Sequence, residues 1–260
     1  MIDTNVSLSR WPFRRLANDE TPALVAALRA IGVTQAWAGS FDALLHRDVA
    51  AVNARLADEC RRHGAGFLVP FGAVNLRLPD WEEDLRRCHE DHRMPGVRLH
   101  PNYHGYGLDD PDFARLLRMA AERGLVVQVA LKMEDERTHH PLVRVPPVDS
   151  APLLKLLPAV AGLRLVVLNG LRDVRDAALE GLAKAGAAFD IAMLEGVGGL
   201  GRVVAKVGAA PLLFGSHSPF FVFESAVLKL RESGIEGDAA RAILGENARR
   251  LISISPRQKE

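Results

Sequence analysis

Two residues suited to catalysis lie close together near the middle of the chain. Arg98 and His100 are separated by one residue at the end of a short apolar run, so they face the same side if that run is a strand. A guanidinium binds a carboxylate or a phosphate through two parallel hydrogen bonds, and an imidazole titrates near neutrality. We therefore predict that Arg98 anchors an anionic substrate and that His100 takes part in acid–base catalysis. The alternative is a structural ion pair between Arg98 and a buried carboxylate such as Asp190 or Asp3.

A second histidine and several neutral polar residues also stand within or just after apolar runs. His217 follows one such run and is predicted to be catalytic, whereas Asn5, Ser7, Gln128 and Asn169 are predicted to bind substrate. Buried polar groups cost free energy unless they are paired, so a core selected for stability alone would favour Val, Ile or Leu at these positions. Two interpretations remain open: a polar pocket that binds a ligand, and a set of side chains that satisfy one another or bind water.

Two irregular stretches carry further candidates. Trp11 lies in an arginine-rich tract after the first apolar run and is predicted to wall the substrate pocket, with plain packing as the alternative. The stretch Lys132–Asp149 holds His139 and His140 beside three acidic residues. Irregular stretches of this length are usually functional or disordered. We predict that His139 contacts the substrate, while a metal site in this loop, a lid over the pocket and a solvated surface remain alternatives.

The chain alternates short apolar runs with longer amphipathic segments, which predicts parallel strands joined by helices. The eight predicted strands are Met1–Asp3, Thr34–Ala38, Phe67–Val74, Gly96–Leu99, Leu125–Leu131, Leu163–Leu168, Ala187–Met193 and Pro211–Gly215. The predicted helices are Pro22–Ile31, Asp48–His63, Asp80–His92, Asp112–Arg123, Ala151–Val160, Val174–Ala185, Leu200–Val207, Phe221–Ser233 and Gly237–Ile252.

Such an alternation closes into a barrel or remains an open, doubly wound sheet. Eight units in 260 residues match a single (β/α)₈ barrel with an extra C-terminal helix. A dinucleotide-binding sheet would have a glycine-rich phosphate loop after the first strand, and this chain has none there. In a barrel the active site lies at the carboxyl ends of the strands, where the candidates above are found.

Composition narrows the class of protein. With 48% hydrophobic and 25% charged residues, the sequence predicts one globular domain spanning residues 1–260. A formal net charge of +1 does not favour binding to nucleic acid, and the absence of a long apolar run does not favour a membrane span. Two cysteines are too few for a disulfide scaffold or a cysteine-based zinc site, so we expect a cytoplasmic protein. The expected partner is a small-molecule substrate, and a homo-oligomer is left open.

Four segments, in the same order along the chain, resemble motifs of one known family. They are Met1–Asp3, Gly96–Pro101, Phe214–Pro219 and Ile243–Leu251. They resemble the amidohydrolase-related metal-dependent hydrolases, the branch that includes aminocarboxymuconate-semialdehyde decarboxylase and sugar-lactone hydrolases. The resemblance covers nearly the whole chain and implies a (β/α)₈ barrel that carries out hydrolysis or decarboxylation.

The same resemblance points to a degenerate metal site. Where the family has a His-x-His pair this chain has Asn5 and Ser7, and the histidines of its fifth and sixth strands are replaced by Gln128 and Asn169. The aspartate of its eighth strand is replaced by His217. Catalytic zinc needs imidazole and carboxylate ligands, and neutral amides are weak substitutes. The resemblance therefore implies no standard catalytic zinc, and we predict neither a metal nor another cofactor.

The sequence favours an amidohydrolase-like enzyme that acts on a small anionic substrate by hydrolysis or decarboxylation. One alternative is a non-catalytic barrel that binds a metabolite or a partner protein, which the replaced ligands favour. Another is a metal retained through unusual ligands, such as His217, His100 and a loop carboxylate.

Overall fold

A closed ring of parallel strands forms the centre of the protein. The computed structural model describes residues 1–253, and within them eight parallel strands pair in sequence order. Hydrogen bonds from Thr4 N to Phe214 O (2.9 Å) and from Ser7 N to Ser218 O (2.9 Å) join the last strand to the first. The predicted (β/α)₈ barrel is therefore confirmed. Its strands are β1 (Ile2–Leu8), β2 (Gln35–Ser40), β3 (Leu68–Ala73), β4 (Gly96–Leu99), β5 (Val126–Ala130), β6 (Arg164–Leu168), β7 (Ala188–Asp190) and β8 (Leu212–Leu213).

Helices surround this ring because each has an apolar stripe to bury against it. On the second helix the stripe consists of Val52, Leu56 and Cys60, and the side chain of Asp48 caps the first turn by accepting from Ala51 N at 2.9 Å. The helices are α1 (Thr21–Ala30), α2 (Val49–Gly64), α3 (Trp81–Glu90), α4 (Pro101–His104), α5 (Pro111–Glu122), α6 (Leu153–Ala159), α7 (Asp176–Lys184), α8 (Gly199–Val207), α9 (Phe223–Glu232), α10 (Gly237–Arg241) and α11 (Asn247–Ser253).

The structure differs from the predicted elements at both ends of the chain. β1 continues to Leu8 rather than ending at Asp3, and its pairing with β2 contains a bulge between Asp3 and Val6. The predicted helix Gly237–Ile252 is interrupted at Gly245, whose backbone is extended and which lies close to Ile2 beneath the barrel. The C-terminal helix is thus two short helices, α10 and α11, joined by a π-helical turn.

The barrel interior changes character from floor to mouth. The floor is apolar, with Trp37 stacked on Phe71 at a ring-centroid distance of 4.9 Å above Val126 and Val166. Buried polar and charged side chains occupy the carboxyl half of the barrel. Outside the strands, a larger apolar core packs the sheet against the helices. Among residues 1–253, no helix is both long enough and apolar enough to cross a membrane.

Candidate functional site

Three strands bring a hydrogen-bonded polar cluster together inside the barrel. Asn5 on β1 donates through Nδ2 to Asn169 Oδ1 at 2.9 Å and to Asp190 Oδ2 at 2.7 Å. The backbone N–H of Asn169 donates to the other carboxylate oxygen of Asp190 at 2.6 Å. A Cβ at Gly215 would lie 2.7 Å from Asp190 Oδ2, so only glycine leaves room for this cluster. Burial raises the pKa of Asp190. Asn5 and Asn169, both identified from the sequence, thus satisfy each other and a buried carboxylate.

Arg98 crosses the barrel just below this cluster. Its Nε donates to Gln128 Oε1 at 2.8 Å, and its terminal nitrogens donate to the carbonyls of Val6 (2.8 Å), Trp37 (3.1 Å) and Thr4 (3.3 Å). A fifth, longer contact reaches Ser7 Oγ at 3.4 Å. A guanidinium has five N–H groups, so these acceptors engage its full capacity. In this geometry Arg98 ties strands together and presents no free N–H to a ligand.

Neither buried aspartate pairs directly with Arg98. Within residues 1–253, no carboxylate lies within salt-bridge distance of its guanidinium, although Asp190 and Asp3 still act on it through space. Burial lowers the pKa of Arg98 to about 10. A Cβ at Gly39 would lie 2.9 Å from the Arg98 side chain, so only glycine fits on β2 where the guanidinium passes. The ion pair considered for Arg98 in the sequence is replaced by hydrogen bonds to neutral acceptors.

His217 provides an unengaged nitrogen at the barrel mouth. Its Nε2 lies 2.7 Å from Met133 O, and because a carbonyl only accepts, Nε2 carries the proton and Nδ1 the lone pair. Nδ1 is buried and has no hydrogen-bond partner among the described residues. Burial lowers the pKa of His217 to about 4, so the ring is neutral at pH 7. The backbone φ of 58° and stacking on Phe220, 5.1 Å between ring centroids, fix this orientation.

His100 is a second buried neutral imidazole. Its side chain is 2% exposed, and burial holds its pKa well below the ordinary value. Its Nδ1 has no hydrogen-bond partner within residues 1–253. The ring of His104, whose Nε2 donates to Ala43 O at 2.9 Å, lies edge-on at 6.1 Å. The imidazoles of His100 and His217 are therefore both uncharged and available as bases.

An aromatic plug covers the mouth. Trp11 is only 2% exposed, and its ring centroid lies 4.9 Å from that of Phe220 and 5.3 Å from that of Phe41. Phe13 and Tyr103 complete the ring of contacts at 5.5 and 6.4 Å. The Trp11 indole N–H is buried and has no hydrogen-bond partner in the described part of the chain. Trp11 thus excludes water from the polar interior beneath it.

The long loop after β5 supplies a buried carboxylate to the same mouth. Glu134 is 3% exposed and accepts from Arg14 Nη1 at 3.0 Å and from Thr138 Oγ1 at 3.0 Å. Arg14 also lies over the Phe220 ring, 5.0 Å from its centroid. His139, by contrast, is half-buried, and its Nδ1 accepts from the backbone of its own loop, from Val145 N at 3.4 Å.

Sequence reasoning missed the roles of Glu134 and of the two interior aspartates. Glu134 stands in a charged run that is typical of a solvated loop, and its partner Arg14 is 120 residues away in the chain. Asp3 and Asp190 were considered only as ion-pair partners of Arg98, yet each accepts several N–H or O–H donors of its own. The one available signal was that Asp3 ends a predicted strand and that Asp190 is a charged residue within another, Ala187–Met193.

Comparison with known proteins identifies the family of this chain. The model of the family described as Amidohydrolase matches residues 8–254, and the chain belongs to that family. No curated protein gives a significant match. Solved structures share the fold at low identity. A 2,6-dihydroxybenzoate decarboxylase from Rhizobium is 15% identical, with 97% of this chain and 98% of that chain covered and a TM-score of 0.73.

Two further solved structures are similar over the same extent. A 5-carboxyvanillate decarboxylase from Sphingomonas paucimobilis is 12% identical, with coverage of 97% and 98% and a TM-score of 0.75. A dihydroxybenzoic acid decarboxylase from Polaromonas sp. JS666, with bound manganese and 2-nitroresorcinol, is 13% identical, with coverage of 97% and 96% and a TM-score of 0.74. At these identities the likeness concerns the fold.

The donor set of this barrel does not fit a manganese or zinc ion of the kind that the family implies. Asn5 and Asn169 are engaged with each other and with Asp190. Within residues 1–253, no group of three or more His, Cys, Asp or Glu side chains is arranged to hold a metal. Neutral amides are weak ligands for such ions. The described residues therefore offer no site for a catalytic ion of this kind.

Proposed function

We propose that this protein is an amidohydrolase-family enzyme that decarboxylates a small, flat carboxylic acid at the barrel mouth without a transition metal. One observation carries the proposal: a water-excluded, aromatic-walled mouth faces a neutral histidine, His217, whose Nδ1 is free. Aromatic walls suit a planar ligand because rings pack edge to face or offset. The solved structures with this fold include decarboxylases of dihydroxybenzoates and of 5-carboxyvanillate, which are planar acids.

Decarboxylation suits this site better than hydrolysis does. Hydrolysis in such barrels needs a nucleophilic water, which a bound metal ion generates by lowering the pKa of that water. The residues here do not fit that ion. Loss of carbon dioxide needs no nucleophile, and exclusion of water from a carboxylate favours a transition state in which its charge is spread. A dry mouth supplies that condition.

The side chains take distinct roles in this proposal. Arg14 lies over Phe220, and its one ion pair within residues 1–253 is with Glu134; it meets the substrate carboxylate, a role first assigned to Arg98. His217 accepts a hydrogen bond from a hydroxyl or protonated group of the substrate through Nδ1, and His100 is a second buried base. When the aromatic plug opens, the Trp11 ring lines one side of the pocket.

The remaining candidates act from beneath or beside the substrate. Asn5 and Asn169 hold the Asp190 carboxylate in place, whereas Gln128 and Ser7 bond Arg98. These four side chains lie beneath the substrate and shape the polar bottom of the site, above the apolar floor of the barrel. Contact between the substrate and His139, at the edge of the long loop, stays a prediction.

A substrate panel tests the proposal directly. Purified protein is incubated with 2,6-dihydroxybenzoate, 5-carboxyvanillate and related hydroxybenzoates, and carbon dioxide and the decarboxylated product are measured; lactones and esters test hydrolysis in parallel. We expect turnover of at least one acid, with kcat/KM lowered about 10²–10⁴-fold by His217→Gln. His63→Gln, at an exposed position on α2, is the matched control and should keep full activity. Metal-free protein that turns over only esters or lactones would contradict the proposal.

A non-catalytic barrel is the second candidate, and a specific observation favours it. The polar groups of the Asn5–Asn169–Asp190 cluster form hydrogen bonds with one another, and the Arg98 guanidinium bonds to acceptors of its own. An interior kept for stability would show the same pairing. If no acid, ester or lactone is turned over while planar acids raise the melting temperature, the protein is a binder. If nothing binds, the mouth is a structural relic.

A further inference from the structure

Asp3, Ser216 and Ser218 form a continuous line of buried oxygen atoms along the seam between β8 and β1. Ser216 Oγ lies 2.5 Å from Asp3 Oδ2 and 2.7 Å from Ser218 Oγ. The three residues are 0%, 1% and 3% exposed. The line ends at the carboxyl side of the barrel, where Ser218 O accepts from Ser7 N at 2.9 Å.

The number of protons in this line makes it reversible. A serine hydroxyl has a single proton, so Ser216 donates to Asp3 or to Ser218 but not to both. When Asp3 is ionised, Ser218 donates to Ser216 and Ser216 donates to Asp3. When Asp3 is protonated, every donation reverses, and the hydroxyl proton of Ser218 is released from the line.

We propose that Asp3, Ser216 and Ser218 are a proton-transfer line that connects the Asp3 carboxyl, inside the barrel, with the mouth. Backbone N–H groups hold the Asp3 carboxylate in place, because Asp3 Oδ1 accepts from Asn5 N at 3.1 Å and from Ser216 N at 3.0 Å. Ser218 N donates to Ser216 Oγ at 3.0 Å, which fixes the middle oxygen. The oxygens therefore need not move when the protons do.

The surroundings of Asp3 allow both of its protonation states. Burial raises its pKa to about 6, against the lowering effect of the donors on Ser216 and Asn5. The charged groups that act on it are the Asp190 carboxylate on β7, which also raises this pKa, and the Arg98 guanidinium on β4. Asp3 can therefore gain and lose a proton near neutral pH.

The catalytic use of this line rests on the proposed decarboxylation, which consumes one proton per turnover. The bond between the carbon and its carboxylate breaks, carbon dioxide leaves, and the electron pair remains on the carbon. Ser218 Oγ gives its proton to that carbon while Ser216 reprotonates Ser218 and Asp3 reprotonates Ser216. Solvent returns the proton to Asp3 through the same line after the product leaves.

Infrared spectroscopy tests the line without any substrate. Wild-type protein at about pH 5, where Asp3 is protonated, is transferred from H₂O into D₂O, and the carbonyl stretch of the buried carboxylic acid is followed as it shifts on deuteration. The variant Asp3→Asn identifies the band. We expect deuteration to slow by about an order of magnitude in Ser218→Ala, because the carboxyl then exchanges only through local opening of the barrel.

Thr4→Val is the matched control, since it removes a buried hydroxyl at the same seam that donates to Phe214 O and is not part of the line. Its exchange should match that of the wild type. Equal exchange in wild type and Ser218→Ala, or equal slowing in Thr4→Val, overturns the line. Slow exchange in Ser218→Ala alone upholds it even if no acid is decarboxylated, so the two proposals fail independently.

Discussion

At the scale of single residues, Arg98 is the clearest case in which chemistry suggested by the sequence is used for structure. The side chain has the guanidinium expected of an anion anchor, yet its hydrogen bonds reach Gln128 and carbonyls of β1 and β2. Sequence alone places Arg98 on the inner face of a strand but does not report which acceptors surround it. Those acceptors depend on the bulge in β1, which exposes the carbonyls of Thr4 and Val6 to the interior.

We expect Arg98→Met to destabilise the protein by at least about 3 kcal/mol, because several buried acceptors lose their donors at about 1–3 kcal/mol each. Methionine keeps most of the aliphatic volume, so packing loss is small. Chemical denaturation measures the change. Arg77→Met, at a half-exposed residue paired with Asp110, is the control and should cost under about 1 kcal/mol. A variant at position 98 as stable as this control would show that the interior hydrogen bonds contribute little.

His217 should make stability depend on pH in the acidic range. Its pKa is lowered to about 4 from 6.5, so the folded protein binds fewer protons than the unfolded chain between these values. Its contribution to stability is therefore present above pH 6.5 and is lost as pH falls towards 4, by about 3 kcal/mol in all. In His217→Gln, the decline in unfolding free energy over this window should be smaller by about that amount. Parallel profiles for the two proteins would contradict the burial argument.

At the scale of elements, the eight strands and the longer helices follow from the sequence, whereas their ends and the short helix α4 do not. Apolar runs identify all eight strands, but β1 extends through Thr4–Leu8, a polar stretch whose backbone is paired on both sides. Polar interior strands break the rule that buried strands are apolar, and functional sites are where that rule fails. The covering loops are less predictable still, because the burial of Trp11 and Glu134 depends on contacts distant in sequence.

The segment that carries Trp11 has the features of a strap over the mouth. The φ angles of Ser9 and Asn18 are 62° and 58°, a region that non-glycine residues seldom adopt, and these two residues bracket the segment. The side chain of Arg15 pairs with Asp19 at 2.7 Å, across Asn18. For a ligand to reach His217, this strap must move.

Hydrogen–deuterium exchange should therefore detect opening of residues 10–17 at a free energy well below that of global unfolding. The amides of β5 serve as the internal reference, since they are buried in the sheet and exchange only when the barrel unfolds. Trp11→Ala should speed exchange in the strap further by removing its main contacts. Exchange of strap and β5 at a single common rate would mean that the mouth stays shut in the folded protein.

At the scale of the whole molecule, the fold of a metal-dependent family is combined with an interior that does not fit its metal. We expect protein purified without chelator to contain well under one equivalent of zinc, iron or manganese, because Asn5 and Asn169 are engaged with each other and with Asp190, and neutral amides are weak ligands. Elemental analysis measures the content, and the melting temperature should not change after dialysis against a chelator. A stoichiometric ion in the barrel, together with a chelator-sensitive melting temperature, would establish a metal held by unusual ligands.

The guanidinium of Arg98 also bears on how the barrel comes apart. Arg98 is a residue of β4, and its guanidinium forms hydrogen bonds to β1, β2 and β5. These bonds therefore connect strands from both halves of the ring. Detaching the first two strands would leave a cation in a dry interior with most of its acceptors gone, a state that costs several kcal/mol. Half-barrel intermediates are thereby disfavoured, because the charge at the centre couples β1 and β2 to β4 and β5.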